Sequence, residues 1–262
     1  MTLNSYLEDL ASKLIIRDSE KEKIKISIET LNSRLNRYFS NIEEKFVFGS
    51  YTRGTILPRK ADCNSDIDFM VVFQNPNKYK PDTMLRWLRD FVKDNYLTSE
   101  IYQSHPTIVL SLNHIKFELV PAYNPLSALG IKNYQIPAPY LDYADWISTD
   151  PVKLKEDLIE KNKNNNSKIK PLIRLLKYWN VLNGKIYSSY ELENHIINQS
   201  YYFNNTSIIK MLNTAIQSLP VSYNLAYSKK EKVNNLKIKM NYIKDFEYAL
   251  LDDLKKIFPE LA

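Results

Sequence analysis

Three acidic residues in the first half of the chain have a spacing suited to holding divalent metal ions. Asp66 and Asp68 stand two residues apart in the strand-like run 66–73, so both carboxylates point to one face of the strand. At about 6 to 7 Å apart they repel each other, and a bound cation would remove that repulsion. Glu118 lies in a second run, 115–120, whose apolar residues point to the opposite face. These three residues are the predicted catalytic carboxylates and the predicted ligands of two Mg²⁺ ions, with Mn²⁺ as an alternative.

Gly49 and Ser50 directly follow another strand-like run, 45–48, and are predicted to bind phosphate. The chain has only 4 glycines, and Gly49 and Gly54 are two of them, which indicates an unusual backbone here. Amides at the start of a following helix and the Ser50 hydroxyl can donate to phosphate oxygens. Of two metal ions beside this turn, one would activate an attacking hydroxyl and the other would neutralise a leaving pyrophosphate. Each motif alone is common in turns and strand edges, but the combination predicts chemistry at a nucleotide triphosphate.

The elements that must position these residues form an α+β layer. A capping box of Ser19 and Glu22, followed by an apolar stripe, predicts a long helix over 19–39 that packs across both lobes of the protein. Asn113 and His114 form the turn of a predicted hairpin. The other predicted elements are strands at 45–48 and 66–73, a helix at 82–95, and hairpin strands at 107–112 and 115–120.

The second half of the chain is predicted to be mainly helical. A proline-containing stretch, 121–150, is expected to be an irregular connection, and the polar stretch 161–168 a solvated loop. Pro171 stands where a helix could begin. The apolar side of that helix is formed by Leu172, Leu175, Leu176 and Trp179. The predicted domains are a palm with the N-terminal helix over 1–150 and a helical nucleotide-binding lobe over 151–262.

Composition sets limits on the class of protein. With 262 residues, 44% of them hydrophobic, the chain can bury a sizeable core. A net charge of +6 fits a lysine-rich surface or an anionic partner such as a nucleotide. A single cysteine, Cys63, excludes a disulfide within the chain and a cysteine-based zinc site. No signal-peptide core and no membrane-spanning apolar run is present in the sequence, so a cytoplasmic location without membrane contact is expected.

The motifs resemble the DNA polymerase β-like nucleotidyltransferases. More narrowly, Gly49–Pro58, Ser65–Asp68 and Phe117–Ala122 resemble the bacterial SMODS family, the cGAS/DncV-like nucleotidyltransferases (CD-NTases) of anti-phage CBASS defence. The resemblance implies a polymerase β-like palm, a mixed sheet with helices, followed by an α-helical lobe and preceded by a long spine helix. It also implies a metal-dependent enzyme that makes a cyclic oligonucleotide from NTPs. The implied partners are NTP or dNTP substrates and a product-sensing effector encoded nearby, with no sequence-specific nucleic acid.

The resemblance continues into the second half of the chain. The helix beginning near Pro171 resembles the family's helix whose lysine contacts the triphosphate, and that role falls on Lys177. The sequence Ser188–Glu193 resembles the following Ser-Tyr motif, which places a phosphate-binding serine at Ser189. Tyr190 is expected either to support a base or to pack in the core. Two departures are a glutamate, Glu118, where many relatives have aspartate, and a short chain after the Ser-Tyr motif.

Three other functions fit parts of the same pattern. A template-independent polymerase of the same fold would use the same three acids to make linear chains, from NTPs or from dNTPs. A minimal nucleotidyltransferase antitoxin shares the Gly-Ser and Ser-Asp-Ile-Asp motifs but is much shorter and has the acids closer to the Gly-Ser. A non-enzymatic nucleotide-binding module is disfavoured because all three acids are present.

Overall fold

The chain forms two compact units, which we call the sheet unit and the helical unit. The computed structural model describes residues 1–75, 77–104, 106–125, 129–138, 145–201, 207–246 and 250–261. The sheet unit comprises 17–53 and 64–153, and the helical unit comprises 1–16, 54–63 and 154–262. The two units are not continuous along the chain, unlike the predicted domains 1–150 and 151–262, because residues 1–16 and 54–63 belong to the helical unit.

The sheet unit is built on a five-stranded mixed sheet with the strand order β1-β2-β5-β4-β3. The pair β2–β5 is parallel and the other neighbouring strands are antiparallel. The strands of this unit are β1 (Ile42–Val47), β2 (Asp66–Phe73), β3 (Glu100–Ser104), β4 (Thr107–Ser111), β5 (Lys116–Ala122), β6 (Tyr134–Pro137) and β7 (Trp146–Thr149). Its helices are α2 (Asp18–Tyr38), α3 (Gly49–Arg53) and α4 (Pro81–Asn95).

The predicted elements around the acids are confirmed. β2 has the predicted bounds, and β4 and β5 form the predicted antiparallel hairpin, closed by a hydrogen bond from the Leu112 amide to the Ile115 carbonyl at 2.8 Å. β3 was not predicted. The stretch 121–150 is more ordered than expected, since it contains the antiparallel pair β6–β7. One of the prolines cited for it, Pro139, lies outside the described residues.

The long helix α2 has 21 residues and is confirmed, but its predicted cap is wrong. The helix begins at Asp18, and the residue before it, Arg17, makes no side-chain capping hydrogen bond. Ser19 therefore lies inside the first turn rather than at the cap position. Ile24, Leu31 and Leu35 of the predicted stripe are fully buried. Packing of this helix across both lobes stays a prediction.

The helical unit has one apolar core, to which all of its segments contribute, including Leu57 and Ala61 of the 54–63 segment. Within the described residues, no helix has the length and apolarity needed to cross a membrane. The helices of the helical unit are α1 (Leu3–Lys13), α5 (Lys153–Asn164), α6 (Ile169–Leu182), α7 (Ser189–Asn198), α8 (Ile208–Gln217), α9 (Tyr227–Ile243) and α10 (Leu251–Ile257).

Two findings in the helical unit differ from the sequence prediction. Helix α1 was not predicted, although Thr2 and Ser5 form a capping box at its start. The stretch 161–168 is not a solvated loop throughout: its first four residues continue α5 to Asn164, and Asn165 is buried. The apolar side predicted for the next helix is confirmed, because Leu172, Leu175, Leu176 and Trp179 are all buried in α6.

Candidate active site

The three predicted acids lie on adjacent, parallel strands of the sheet. Asp68 on β2 is in register with Glu118 on β5, and Asp66 lies two residues before Asp68 on the same strand. All three side chains are half-buried, whereas Ile67 and Phe69 between and beside the aspartates are fully buried. The alternation predicted from the sequence is therefore confirmed. It brings three carboxylates to one face of the sheet.

Glu118 has an electrostatic environment that favours its protonated form. Burial, the charges of Asp66 and Asp68, and a hydrogen bond with Asp66 together raise the pKa of Glu118 from its ordinary value of 4.5 to about 8. A hydrogen bond with Thr107 acts in the opposite direction. Like charges that are withdrawn from water favour taking up a proton or a cation.

Gly49 lies directly against this carboxylate group. Its φ of 72° is in the left-handed region, which glycine adopts without a steric cost. A Cβ atom at this position would lie 2.5 Å from Cγ of Asp68 and closer still to one of its carboxylate oxygens. The amide of Phe48, the preceding residue, donates to the Asp68 carbonyl at 3.0 Å. Only glycine fits here, and the turn brings Gly49 against Asp68. Phosphate binding by Gly49 and Ser50 stays a prediction.

The donor set fits a divalent cation in its chemistry. Mg²⁺ prefers oxygen ligands and binds through one or two carboxylates together with substrate phosphates. A cation would also compensate the charge that raises the pKa of Glu118. Within the described part of the chain, no three Asp, Glu, His or Cys side chains already converge as ligands of one ion. Asp66, Asp68 and Glu118 are the residues of the sheet unit that would hold a cation.

Lys177, the predicted triphosphate ligand, is buried in the helical unit. Its ammonium group donates to the carbonyl of Thr55 at 3.0 Å and to Oε1 of Glu193 at 3.2 Å. The Thr55 hydroxyl donates to the same Glu193 oxygen at 2.8 Å. Lys177 is 6% exposed and Glu193 is fully buried. A role for Lys177 at a triphosphate stays a prediction, and the structure adds a buried acid and a threonine as its partners.

Ser189 and Tyr190 stand at the exposed start of α7. The neighbouring Ser188 forms the capping box of this helix with Glu191, so its hydroxyl already accepts a hydrogen bond from the Glu191 amide at 3.1 Å. Ser189 is exposed, and its hydroxyl makes no hydrogen bond to another residue of the described ranges. Tyr190 is 61% exposed, which contradicts the expectation that it could pack in the core. Its other expected role, support of a base, stays a prediction.

Sequence reasoning missed Glu193, Thr55 and Arg174. Glu193 carried a signal, because it stands between Leu192 and Ile196 on the buried side of α7, where a charge needs a partner. The partner itself lies on another helix, and no local spacing gives it. Arg174 is buried on α6 and donates to the carbonyls of Ala11 at 3.1 Å and Gly54 at 3.2 Å.

Curated proteins from two bacteria are similar to this chain in sequence. The chain is 25% identical over 151 residues to a cyclic AMP-AMP-AMP synthase of Acinetobacter, covering 56% of this chain and 42% of that protein. It is 28% identical over 248 residues to a protein of Bacillus cereus named as a probable cyclic nucleotide synthase, covering 78% of this chain and 72% of that one. The chain thus spans less than half the length of the first of these relatives.

Solved structures of low sequence identity share the fold. The CD-NTase CdnG of Bradyrhizobium diazoefficiens, solved in complex with GTP, has a TM-score of 0.75 at 13% identity, covering 98% of this chain and 94% of that one. CdnC of Escherichia coli, solved with ATP, has a TM-score of 0.71 at 12% identity and covers 98% of both chains. The sequence model of the SMODS family, the Second Messenger Oligonucleotide or Dinucleotide Synthetase domain, matches residues 1–162 of this chain. The chain therefore belongs to the SMODS family, and its fold is that of the CD-NTases.

Proposed function

We propose that this protein is a metal-dependent nucleotidyltransferase that joins NTPs into a cyclic oligonucleotide. The observation that carries the proposal is the group of three carboxylates on one face of β2 and β5, with Gly49 packed against Asp68. Membership of the SMODS family supports the reaction type, and the names of the two relatives support a cyclic product.

The reaction replaces one phosphorus–oxygen bond with another. The oxygen of an acceptor hydroxyl loses its proton and bonds to the α-phosphorus of an NTP, while the bond from that phosphorus to the β-phosphate oxygen breaks and pyrophosphate leaves. Divalent cations, when bound, supply the positive charge that activates the hydroxyl and neutralises the leaving group. One such transfer forms each linkage, and the last one closes the ring.

The residues of the sheet unit hold and orient the reacting groups in this scheme. Asp66, Asp68 and Glu118 would hold the cations, and Glu118 would then have to lose the proton that its surroundings favour. Gly49 lets the backbone pass close to the Asp68 carboxylate because it has no side chain and adopts a positive φ without a steric cost. Ser50 donates to the triphosphate.

The residues of the helical unit are proposed to bind and not to transfer protons. Lys177 contacts the triphosphate with the donor that Thr55 and Glu193 leave to it, since an ammonium group has three N–H donors. Ser189 donates one hydrogen bond to a phosphate oxygen. Tyr190, being exposed, stacks on a base.

The proposal extends to the protein's surroundings. The product would act as a second messenger on an effector protein encoded nearby, in anti-phage defence in the cytoplasm. Expression of this protein with each neighbouring gene in turn would test this. Growth arrest that requires both the neighbour and intact Asp66 and Asp68 is the expected result, and arrest independent of those acids would contradict it.

The activity itself is tested by supplying the purified protein with all NTPs and dNTPs together with Mg²⁺ or Mn²⁺. Pyrophosphate release and a product that resists phosphatase are expected, because a cyclic product keeps no terminal phosphate. Products that lose phosphate on this treatment would show a linear polymerase instead. Transfer to a protein, with no free oligonucleotide, would show the antitoxin type of activity.

A further inference from the structure

Glu193, Lys177 and Thr55 are joined to one another by hydrogen bonds inside the helical unit. Lys177 donates to Glu193 and to the Thr55 carbonyl, and the Thr55 hydroxyl donates back to Glu193. Thr55 and Glu193 are both fully buried. Well-packed apolar residues often replace a buried ion pair without a loss of stability. Stability alone therefore gives little reason for this set, whereas fixed positions for its three members do.

The residue before Thr55 is held in the same way. Arg174 precedes Lys177 by three residues on α6, so both side chains leave the same face of the helix. Arg174 donates to the Gly54 carbonyl at 3.2 Å, and burial lowers the pKa of its guanidinium to about 10. Two successive carbonyls, those of Gly54 and Thr55, are thus bound by cations of one helix. The backbone at this point is fixed by side chains rather than by a strand or a helix of its own.

This fixed point is close in the chain to the predicted phosphate-binding turn. Helix α3 ends at Arg53, and Gly54 follows it directly. The division between the two compact units falls at the same peptide bond. Ser50 precedes Thr55 by only five residues, a length of chain that reaches at most about 18 Å when fully extended and less when helical. An anchor at Thr55 therefore limits the positions open to Ser50.

We infer that Glu193 and Thr55 are positioning residues for nucleotidyl transfer, which fix Lys177 and the chain segment leaving the Gly49–Arg53 turn. This inference rests on the proposed function. Neither residue need touch the substrate. A misplaced phosphate-binding group lowers the rate of the chemical step more than it lowers ground-state binding, and a shift of about 1 Å can cost up to a hundredfold.

Two variants of little changed shape test the inference. Thr55→Val removes the hydrogen bond from the Thr55 hydroxyl to Glu193, and Glu193→Gln removes the charge of Glu193. Each variant should lower kcat about tenfold, with KM for the NTP changed less than about threefold. The double variant should lose less than the product of the two single losses, because both residues act through one set of contacts. Thr55→Ser, which keeps the hydroxyl, should have the kcat of the wild type.

Asp62→Asn is the matched control. Asp62 lies on the same 54–63 segment and pairs with Lys185 at 2.9 Å, whereas the ammonium group of Lys177 donates to Thr55 and Glu193. This variant should leave kcat unchanged. Rates are measured well below the unfolding temperature of each variant. If Thr55→Val and Glu193→Gln only lower the unfolding temperature and keep the wild-type kcat, the two residues are structural and the inference is wrong.

Hydrogen exchange gives a readout that does not need activity. The amides of residues 50–53 should exchange faster in Thr55→Val than in the wild type or in Asp62→Asn, because their anchor is loosened. Unchanged exchange at 50–53 would overturn the inference even if the enzyme is active. Faster exchange in Thr55→Val, found together with a wild-type protein that releases no pyrophosphate, would leave the anchor standing and remove the proposed function.

Discussion

The carboxylates of the sheet unit and the Lys177–Glu193 pair of the helical unit are both charged groups withdrawn from water, yet their neighbours differ in sign. Glu118 faces the two carboxylates Asp66 and Asp68, and its pKa rises to about 8. Lys177 faces Glu193 at 3.2 Å, and the two charges compensate each other. The difference teaches that the first cluster favours an added cation, whereas the second already pairs a positive with a negative charge and is suited to holding positions.

Of the predicted effects on turnover, the loss of both aspartates should be the largest. Asp66→Asn/Asp68→Asn should abolish turnover while the fold persists, because the acids contribute chemistry and not core packing. Without metal, the unfolding temperature should stay the same or rise, since mutual repulsion is removed. Pyrophosphate release and thermal unfolding measure the two quantities. Asp90→Asn, on the exposed side of α4, is the control for loss of a carboxylate in the same unit, and near wild-type turnover in the double variant would remove the catalytic assignment.

Gly49→Ala should have the next largest effect. Its methyl group would overlap the Asp68 carboxylate, so the aspartate or the turn must move, and turnover should fall at least about a hundredfold. Gly130→Ala separates this overlap from backbone strain, because Gly130 has a similar φ of 69° and nothing within 4 Å of an added Cβ. The control should lose only about 1 kcal/mol of stability and no activity. Equal losses of turnover in the two variants would contradict the close contact with Asp68.

Lys177→Ala should reduce kcat/KM by tens- to a hundredfold, and Ser189→Ala only severalfold. A charged hydrogen bond contributes about 1.5 to 3 kcal/mol and a neutral one about 1 kcal/mol. The lysine variant also leaves Glu193 buried without its cation and should lose about 3 to 5 kcal/mol of stability. Lys177→Met/Glu193→Leu should recover the stability but not the activity. Recovery of both would show that the pair acts on the fold alone.

The smallest expected effect is a pH dependence of stability caused by Glu118. The folded protein holds the Glu118 proton up to a pH of about 8, and the unfolded chain only up to about 4.5. In the absence of metal, this residue therefore contributes stability that is complete below pH 4.5 and is lost as the pH rises to about 8. Denaturant unfolding of the wild type and Glu118→Gln across this interval should give curves that diverge in that direction, and parallel curves would contradict the shift.

Local patterns sufficed to predict the placement of the three acids in the sheet unit. Two-residue alternation on β2 and β5 placed Asp66, Asp68 and Glu118 on one face, and the structure confirms it. The bounds of β2 followed from its run of strand-forming residues, and the apolar face of α6 followed from three- and four-residue steps typical of a helix. β3 was missed, because it is short and only half-buried and carries no such alternation.

The surroundings of Lys177 could not be predicted in this way. Glu193 is 16 residues away in the sequence and the Thr55 carbonyl 122 residues away, so their meeting depends on tertiary packing. The same holds for the 54–63 segment, whose neighbours in the sequence belong to the sheet unit while it packs in the helical core. The cap at Ser19 failed for a local reason, because the helix begins at Asp18.

The contrast between the two charge clusters is tested most directly by a crystal structure with Mn²⁺ and a non-hydrolysable NTP. The anomalous signal of manganese should appear between the carboxylates of Asp66, Asp68 and Glu118 and the triphosphate, with Lys177 still paired to Glu193. Manganese bound elsewhere, or a nucleotide bound with no ion at these carboxylates, would contradict the account.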